Sequence, residues 1–375
     1  MVIRQRISQI NKPYAITMWD FSWIERRWTG AGYEDWELIL DELADRGYNA
    51  VRIDAFPHFI AYNRSKTWEL IPCWKYQCWG SPGINRISNV EDALIKFIKL
   101  CRDRDIKVAL STWFREDHDN VRMNITTPEE LGRVWMSVLD LIDEAGLSGC
   151  ILYVDLCNEF PLSIWAPFLY RDKALDLVTF DSRTTTFIKD WMHKSIDYLR
   201  SKYPEHDYCF SFCTELNNYQ EQDVTYFDLL EPHIWMSGFT SFWSDLGFTE
   251  TETSLKLGYD LLQKSKELYY SDVEKWHKGL LKAIHLVRDW SIEAKKPLVT
   301  TECWAVGDYC DYPLLDWEWV KKCCEFGVCE ALKTKRWVAI ATSNYCGPQF
   351  VGMWRDIEWH KKITTLIRTS ECGPF

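Results

Sequence analysis

The chain has 375 residues, of which 47% are hydrophobic and 26% charged, the balance of a globular protein with ample material for a core. It carries 44 basic and 55 acidic residues, a net charge of −11, and no basic run of five or more, which argues against a nucleic-acid partner. No run of about 18 apolar residues occurs, so we expect no membrane span.

Short apolar runs alternate with longer amphipathic stretches along the whole chain. The apolar runs predict eight strands, at Tyr14–Trp19, Ala50–Ile53, Lys107–Ser111, Cys150–Leu156, Asp207–Phe212, Leu229–Ile234, Pro297–Thr301 and Val338–Thr342. Helices are predicted between them, at Tyr33–Arg46, Val90–Arg104, from Thr127 and Pro128 onward, and at Arg183–Lys202, Ser254–Tyr270, Val273–Ala294, Trp317–Phe326 and Ile357–Ile367. Eight such units imply parallel strand pairing and favour a (β/α)8 TIM barrel, with residues 1–375 forming a single domain.

Two long segments interrupt the regular repeat, after the second and the sixth strand. They run from Phe56 to Ser88 and from Met236 to about Glu252, and both are rich in aromatic residues. The aromatics are Trp68, Trp74, Tyr76 and Trp79 in the first segment and Phe239, Phe242, Trp243 and Phe248 in the second. Because both follow strands, both belong on the catalytic face of a barrel. We expect them to wall an open cleft into a pocket; the alternative is that they pack as a local core or a subunit interface.

Carboxyl groups follow the fourth and the seventh predicted strand. Glu159 comes directly after Asn158, and Glu302 directly after Thr301. Side chains at the ends of these strands can converge across the mouth of a barrel, and two carboxyl groups about 5–5.5 Å apart are what hydrolysis of a glycosidic bond with retention requires. The alternative is a pair of unrelated glutamates in surface loops.

Four motifs resemble those of the clan A glycoside hydrolases, and within them the cellulase-like enzymes of family five. Asn158-Glu159 matches the family's Asn-Glu after strand four, and Glu302 matches its nucleophile after strand seven. Gly47-Tyr48-Asn49-Ala50-Val51-Arg52 matches the pattern Gly-x-Asn-x-Val-Arg, and His233-Ile234-Trp235 stands where the family has His-x-Tyr. Two departures are Phe160, which separates Asn-Glu from Pro161, and Trp235 in place of the tyrosine.

The resemblance implies a retaining glycoside hydrolase that cleaves β-glycosidic bonds. Glu302 would be the nucleophile, Glu159 the general acid/base, Arg52 the partner that keeps Glu302 ionised, and Asn158 the residue that holds the sugar 2-hydroxyl. Further side chains near strand ends are predicted to bind substrate; these are His58, Trp113, His233, Trp235, Trp304 and Asn344.

We expect an oligosaccharide or glycoside as substrate, with action on chain ends or short oligosaccharides, and neither a metal nor another cofactor. The 14 cysteines form no Cys-x-x-Cys pair and the first twelve residues contain no apolar signal core, which favours a reduced, cytoplasmic protein. Three alternatives stay open: a sugar-binding barrel without turnover, a transglycosylase with the same catalytic pair, and a metal-dependent barrel enzyme.

Overall fold

The structure is a computed structural model that describes residues 5–72, 85–171, 179–247, 255–307, 311 and 316–375, with the backbone alone for 255–262. Eight barrel strands alternate with helices along the chain. We number the strands β1 (Tyr14–Asp20), β2 (Ala50–Asp54), β3 (Lys107–Ser111), β4 (Ile151–Asp155), β5 (Tyr208–Cys209 and Ser211–Phe212), β6 (Glu231–Pro232 and Ile234–Trp235), β7 (Leu298–Thr300 and Cys303–Trp304) and β8 (Trp337–Ala341).

The larger helices lie between the strands on the outside of the barrel. They are α1 (Trp36–Asp45), α2 (Val90–Arg102), α3 (Pro128–Glu144), α4 (Thr186–Arg200), α5 (Leu255–Ser271), α6 (Val273–Ala294), α7 (Glu318–Lys333) and α8 (Ile357–Thr369). Only a short 3-10 helix, Leu216–Glu221, follows β5, whereas two long helices follow β6.

Parallel pairing closes the eight strands into a barrel. One continuous sheet runs in the order β7-β8-β1-β2-β3-β4-β5. The second segment of β5 pairs with β6, and β6 reaches β7 through a bridge between Leu230 and Leu298 and through pairing of Ile234 with Cys303. The prediction of a (β/α)8 barrel is therefore confirmed, with β5, β6 and β7 each interrupted where the sequence predicted one continuous run.

Local sequence signals explain how the helices begin and which face they bury. Thr127 accepts a hydrogen bond from the backbone N–H of Glu130, and Pro128 occupies the first helical position of α3, as the sequence predicts. The buried residues of α3 recur at three- and four-residue spacing, at Leu131, Val134, Trp135, Val138 and Ile142. This spacing gives the helix one apolar face, which packs against the strands.

The described parts of the two long segments contain structure of their own. In the first, the strand Trp68–Leu70 pairs antiparallel with Asn85–Ile87, and Trp68 is buried and stacked on Phe59 at 4.4 Å between ring centroids. Trp68 thus belongs to a local core and does not wall a pocket. Trp74, Tyr76, Trp79 and Phe248, which the sequence also assigned to these walls, lie outside the described residues.

The second segment is held against the outer helices. Its short helix Phe242–Leu246 buries Phe242 between Trp276 of α6 and Trp319 of α7, at centroid distances of 5.1 and 5.7 Å. Trp243, the next residue, is turned toward the mouth of the barrel and lines a pocket there. This segment therefore both packs locally and forms a wall.

Nowhere in the described part of the chain is a helix both long enough and apolar enough to cross a membrane.

Candidate active site

A pocket of about 280 Å³ opens at the carboxyl ends of the barrel strands. Its lining combines aromatic rings with carboxyl and amide groups, and consists of Met18, Asp20, Phe21, Trp113, Asn158, Glu159, Trp165, Trp235, Ser237, Gly238, Trp243, Glu302 and Gly307. The lining includes four tryptophans and three carboxyl groups, so flat apolar surfaces stand beside hydrogen-bonding groups. Such a lining can orient a ligand that has both polar groups and apolar faces.

Glu159 stands immediately after β4 and projects into the pocket. Its φ of 47° is in the left-handed region, uncommon for a residue with a side chain, and Ser211 Oγ anchors its backbone N–H at 3.0 Å. Both oxygens of its carboxylate are held: Trp165 Nε1 donates to Oε2 at 3.2 Å, and His233 Nδ1 lies 3.1 Å from Oε1. Residues of β5, of β6 and of the loop after β4 thus fix the backbone and the carboxyl group of Glu159.

Glu302 lies between the two segments of β7 and faces Glu159. It is 5% exposed, with Oε1 at 3.3 Å from Arg52 Nη1 and Oε2 at 3.6 Å from His233 Nδ1. Ligand atoms of Glu159, His233 and Glu302 all lie within 4.8 Å of one another. The two carboxyl groups therefore approach each other closely enough to act on the same bond.

Arg52 is fully buried beneath this pair and connects several strands. Its Nη2 contacts Asp155 Oδ2 at 2.5 Å and Asn158 Oδ1 at 2.8 Å, and its Nε lies 3.4 Å from Glu231 Oε1. Thr301 hydroxyl accepts from Arg52 at 3.1 Å and lies 2.6 Å from the same Glu231 oxygen, to which it donates. One guanidinium is thus shared by the carboxyl groups of β4, β6 and β7.

The environment separates the two pocket glutamates in pKa. Burial, followed by the negative charge of Glu159, raises the pKa of Glu302 well above its usual range, and Arg52 acts in the opposite direction. Burial also raises the pKa of Glu159, but the hydrogen bonds from His233 and Trp165 outweigh it and leave that pKa below its usual value. Two carboxyl groups this close cannot both ionise freely, so they titrate as a pair that shares a proton.

His233, Glu159 and Glu302 also have the residue types of a metal site, and the tautomer of His233 decides how well they suit one. Burial lowers the pKa of His233, so the ring is neutral, and its Nδ1 faces the two carboxyl groups. Its Nε2 is buried and has no hydrogen-bond partner among the described residues. A metal on Nδ1 would require a buried N–H at Nε2 without an acceptor, costing about 1–3 kcal/mol, so the geometry favours Nδ1–H donating to Glu159.

The structure brings together seven of the ten residues that the sequence proposed for the site. Glu159, Glu302, Asn158, Trp113 and Trp235 line the pocket. Arg52 and His233 lie directly beneath it, in contact with the two glutamates. Trp113 also covers Arg52, whose guanidinium carbon is 4.7 Å from the centre of the ring.

The other three residues lie away from the pocket. His58 is packed against Phe59 and Phe114, and its Nε2 is 3.0 Å from the carbonyl oxygen of Arg115. Its ring is therefore part of the structural core around the loops that follow β2 and β3.

Trp304 and Asn344 support the backbone of β7. Trp304 is fully buried, donates to the carbonyl of Ala341 at 2.8 Å, and lies where a Cβ on Gly327 would meet its ring at 2.7 Å. Asn344 Oδ1 accepts from the backbone N–H of Cys303 at 3.0 Å. Both residues are close to Glu302 in sequence or space, which explains the prediction, but neither lines the pocket, and these contacts of their side chains are to β7 and β8.

Sequence reasoning missed Asp20 and Trp165 as pocket residues. Asp20 is the last residue of β1, and a polar residue directly after an apolar run was a usable signal. The predicted strand ended one residue earlier, at Trp19. The ring of Trp19 does not line the pocket and is buried in the core, 5.3 Å from Tyr33 between centroids. Trp165 offered no such signal, because a loop carries it back over Glu159.

Comparisons with known proteins identify the family. Residues 16–368 match the family described as sugar-binding cellulase-like. The chain belongs to this family. A search of curated proteins gave no match. Among solved structures, the chain is similar to a protein of Parabacteroides distasonis ATCC 8503 that is provisionally assigned as a glycoside hydrolase. The two share 45% identity and a TM-score of 0.91, over 97% of this chain and 95% of that one.

Two more distant solved structures share the fold. An endo-beta-1,4-mannanase from Thermotoga petrophila has 10% identity and a TM-score of 0.53, over 97% of this chain and 79% of its own. A broad-specificity endoglucanase from Clostridium acetobutylicum has 11% identity and a TM-score of 0.51, over 97% and 99% of the two chains. At this identity the likeness shows the barrel architecture alone.

Proposed function

We propose that the protein is a retaining glycoside hydrolase of the cellulase-like type, which cleaves β-glycosidic bonds with Glu302 as nucleophile and Glu159 as general acid/base. The observation that carries this proposal is the approach of the two glutamates, whose facing oxygens lie within 4.8 Å. Retaining enzymes hold their carboxyl groups about 5–5.5 Å apart, whereas inverting enzymes leave about 6.5–9.5 Å for a water molecule. Family membership and the 45%-identical relative support the same activity.

The reaction follows from the roles of the two carboxyl groups. A Glu302 oxygen attacks the anomeric carbon while the bond to the leaving oxygen breaks, and Glu159 gives its proton to that oxygen. A water molecule then attacks the same carbon, Glu159 takes a proton from it, and the ester bond to Glu302 breaks. Asn158 supports these steps, because Arg52 holds its Oδ1 at 2.8 Å and leaves its NH2 group for the sugar 2-hydroxyl.

The shared proton is compatible with this assignment. The reaction needs Glu302 ionised and Glu159 protonated, whereas burial favours the proton on Glu302 in the free site. Both forms carry one proton and the same net charge, so the fraction in the reactive form is constant across the pH range in which the pair holds one proton. The pH dependence of kcat/KM should therefore be a bell whose limbs belong to the pair.

We further propose action on chain ends or short oligosaccharides. Trp165, Trp235 and Trp243 stand around a pocket of about 280 Å³, close to the lower limit of about 300 Å³ for small-molecule sites. A polymer running through the site would need an open cleft on both sides of the two glutamates. Such a pocket instead suits one or two sugar units.

A cytoplasmic location is also part of the proposal. The cysteines of the described residues are free thiols, and most of them are buried. Unpaired thiols are typical of proteins that function in a reducing compartment. Fractionation of the source cells followed by immunoblotting tests this location.

The catalytic roles are tested with aryl β-glycosides and the variants Glu159→Ala and Glu302→Ala. We expect Glu302→Ala to lose at least about 10³-fold in kcat and to regain activity with azide, giving a glycosyl azide of inverted configuration. Glu159→Ala should lose about 10²–10⁴-fold, least with leaving groups that need no proton. Glu69→Ala serves as the control, because this side chain is partly exposed on the strand Trp68–Leu70, outside the pocket.

The outcomes separate the alternatives. Activity that survives removal of Glu302 contradicts the proposal. Products longer than the substrate, formed by the wild type, indicate a transglycosylase with the same pair. Sugar binding by the wild type without hydrolysis of any substrate in the panel indicates a binding barrel.

A further inference from the structure

Asp20 is a buried carboxyl group in the pocket that the proposed reaction does not use. It ends β1 with a φ of 41° and is 5% exposed. The register of β1 against β2 shifts between Met18 and Asp20, which indicates a bulge at the end of the strand. Bulges of this kind re-aim a side chain, and here both Met18 and Asp20 line the pocket.

The partners of Asp20 leave most of its hydrogen-bonding capacity unused. One oxygen, Oδ1, accepts from the backbone N–H of Ser22 at 2.5 Å, and no ion pair is formed with any described residue. A neighbouring buried carboxylate behaves differently: Glu25 is held by Arg115 through two contacts, of 2.8 and 3.0 Å. The fold thus neutralises Glu25 and leaves Asp20 directed at the cavity.

The charges around Asp20 restrict what it can bind. The described residues that line the pocket include three carboxyl groups, Asp20, Glu159 and Glu302, and no lysine or arginine. Arg52, beneath the floor, is fully buried and already in contact with Asp155 and Glu302. A sugar carboxylate would meet like charges without a partner, which is costly in a site of low dielectric constant.

We propose that Asp20 is a substrate-binding residue that accepts hydrogen bonds from two neighbouring hydroxyl groups of an uncharged sugar, and so selects neutral glycones over uronic acids. This inference rests on the proposed glycosidase function and names its substrate class. The two oxygens of a carboxyl group match a pair of adjacent hydroxyls, and bonds to a charged acceptor are among the stronger ones. Burial raises the pKa of Asp20 to about 7, so hydroxyl donors can stabilise the ionised form on binding.

The proposal is tested by measuring kinetics on a panel of aryl β-glycosides. The panel contains the neutral glycosides of glucose, mannose, galactose and xylose, their monodeoxy analogues, the glucuronide and the 2-amino-2-deoxyglucoside. Asp20→Asn keeps the size of the side chain and an acceptor for Ser22. We expect it to lower kcat/KM for the best neutral glycoside by about 30-fold or more, because two charged-acceptor bonds are weakened. Asp119→Asn, an exposed change on the loop after β3, should leave activity unchanged.

The deoxy analogues distinguish binding from a structural role. A hydroxyl held by Asp20 should matter about tenfold or more to the wild type and much less to Asp20→Asn. A loss under threefold in Asp20→Asn, or equal deoxy penalties in both proteins, overturns the inference. So does a wild type that prefers the glucuronide or the amino sugar.

A binding measurement separates this inference from the catalytic proposal. Glu302→Ala is titrated with the β-1,4-linked disaccharides of glucose and mannose, with the pocket tryptophans as the fluorescence signal, and compared with Glu302→Ala/Asp20→Asn. We expect Asp20→Asn to weaken binding at least tenfold. If binding is weakened in this way and the wild type hydrolyses no substrate, the proposed hydrolase function is refuted, whereas the substrate-binding role of Asp20 is supported. Equal affinities, or binding by neither protein, overturn the role of Asp20.

Discussion

Arg52 balances three carboxyl groups with a single positive charge. Asp155, Glu302 and Glu231 lie 2.5, 3.3 and 3.4 Å from its nitrogen atoms, and all four side chains are buried. Burying ions is expensive unless each is paired, so the fold gains more by keeping one of these carboxyl groups protonated than by ionising all three. Burial, with Asp155 adding to it and Arg52 opposing it, raises the pKa of Glu231 to about 7.

Glu231 therefore competes with Glu302 for Arg52, and Glu231→Gln should release that competition. With one negative charge fewer beside Arg52, the pKa of Glu302 falls, because the charge of Glu231 contributes to raising it. Because Glu231, with a pKa of about 7, carries its negative charge only near and above that pH, the basic limb of the kcat/KM profile should move to lower pH, as measured on an aryl β-glycoside. The groups that face Glu231 are Arg52, Asp155, Tyr153, Cys209 and Thr301, and none of them is altered by this change.

Asp228→Asn is the matched control for this prediction. Asp228 precedes β6 and pairs with Arg6 and Arg200, away from the pocket. Its removal should change stability without moving the pH limbs. A basic limb that stays in place in Glu231→Gln, with the fold intact, would show that Glu231 has no part in setting the ionisation of Glu302.

At this scale the sequence predicted the residues that stand after strands better than those within them. Glu159, Glu302 and Asn158 follow apolar runs, and their convergence at one end of the barrel follows from the fold. Asp155 ends β4 and Glu231 begins β6, both inside the apolar runs that predicted these strands, where a side chain can face either the barrel interior or the helices. A one-residue change of parity reverses that direction, so the sequence alone could not assign them to the network.

At the scale of elements, β7 and α7 form a packing unit directly behind Glu302. The Trp304 ring lies against Gly327 of α7, where an added Cβ would come within 2.7–2.9 Å of it. Its Nε1 donates to Ala341 of β8, and its ring lies 6.4 Å from Trp337 between centroids. The helix therefore needs a glycine at this position so that the indole can fill the space between two strands and a helix.

Trp304→Phe should reduce stability and leave substrate affinity unchanged. The smaller ring leaves a cavity and removes one buried hydrogen bond, a cost of about 1–3 kcal/mol in the free energy of unfolding. Urea denaturation measures this loss, and KM for an aryl β-glycoside should stay within twofold. Trp113→Phe is the comparison, because it changes a ring that lines the pocket and should raise KM. A several-fold rise of KM in Trp304→Phe would return Trp304 to the substrate site.

On the scale of the whole molecule, the two ends of the chain close the barrel. Tyr14 of β1 pairs with Ala339 of β8, and the backbone N–H of Cys372 donates to Asn11 at 3.0 Å. At the same amino-terminal end of the strands, Arg6 pairs at 2.9 Å with Asp207, which directly precedes β5. These contacts support the proposal that residues 1–375 form one domain, since neither half of the barrel has a complete sheet without the other.

The overall architecture was predictable because it depends on repetition. Eight apolar runs separated by amphipathic stretches specify parallel strands and outer helices whatever their exact boundaries. The bulge near Asp20, the breaks in β5 to β7 and the packing of Phe242 against the outer helices were not predictable. Each depends on contacts between segments far apart in sequence, for which the local pattern carries no signal.

His360 connects the last helix, α8, to Tyr48 near the start of the chain, and protonation of its ring should weaken this contact. The ring on α8 has Nδ1 2.8 Å from the Tyr48 hydroxyl and Nε2 3.1 Å from the carbonyl of Met353, so the neutral tautomer with a proton on Nε2 satisfies both contacts. Burial lowers the pKa of His360 from 6.5 to about 4. Below pH 6.5 the unfolded chain binds the proton first, so this contribution to stability is complete above pH 6.5 and is lost as the pH falls toward 4.

The pH dependence should therefore be steeper in the wild type than in His360→Gln. At about 1.4 kcal/mol per unit of pKa difference, the stability of the wild type relative to this variant should fall by about 3 kcal/mol between pH 6.5 and 4. Urea unfolding at four pH values in this range measures the difference in the free energy of unfolding between the two proteins. The contributions of all other titrating groups cancel in this difference, because both proteins contain them. Leu38→Gln, an exposed change on α1 that removes no titrating group, is the control and should run parallel to the wild type. If the free energy of unfolding of His360→Gln also changes with pH in parallel with that of the wild type, the buried ring accepts its proton without a loss of the contact between α8 and Tyr48.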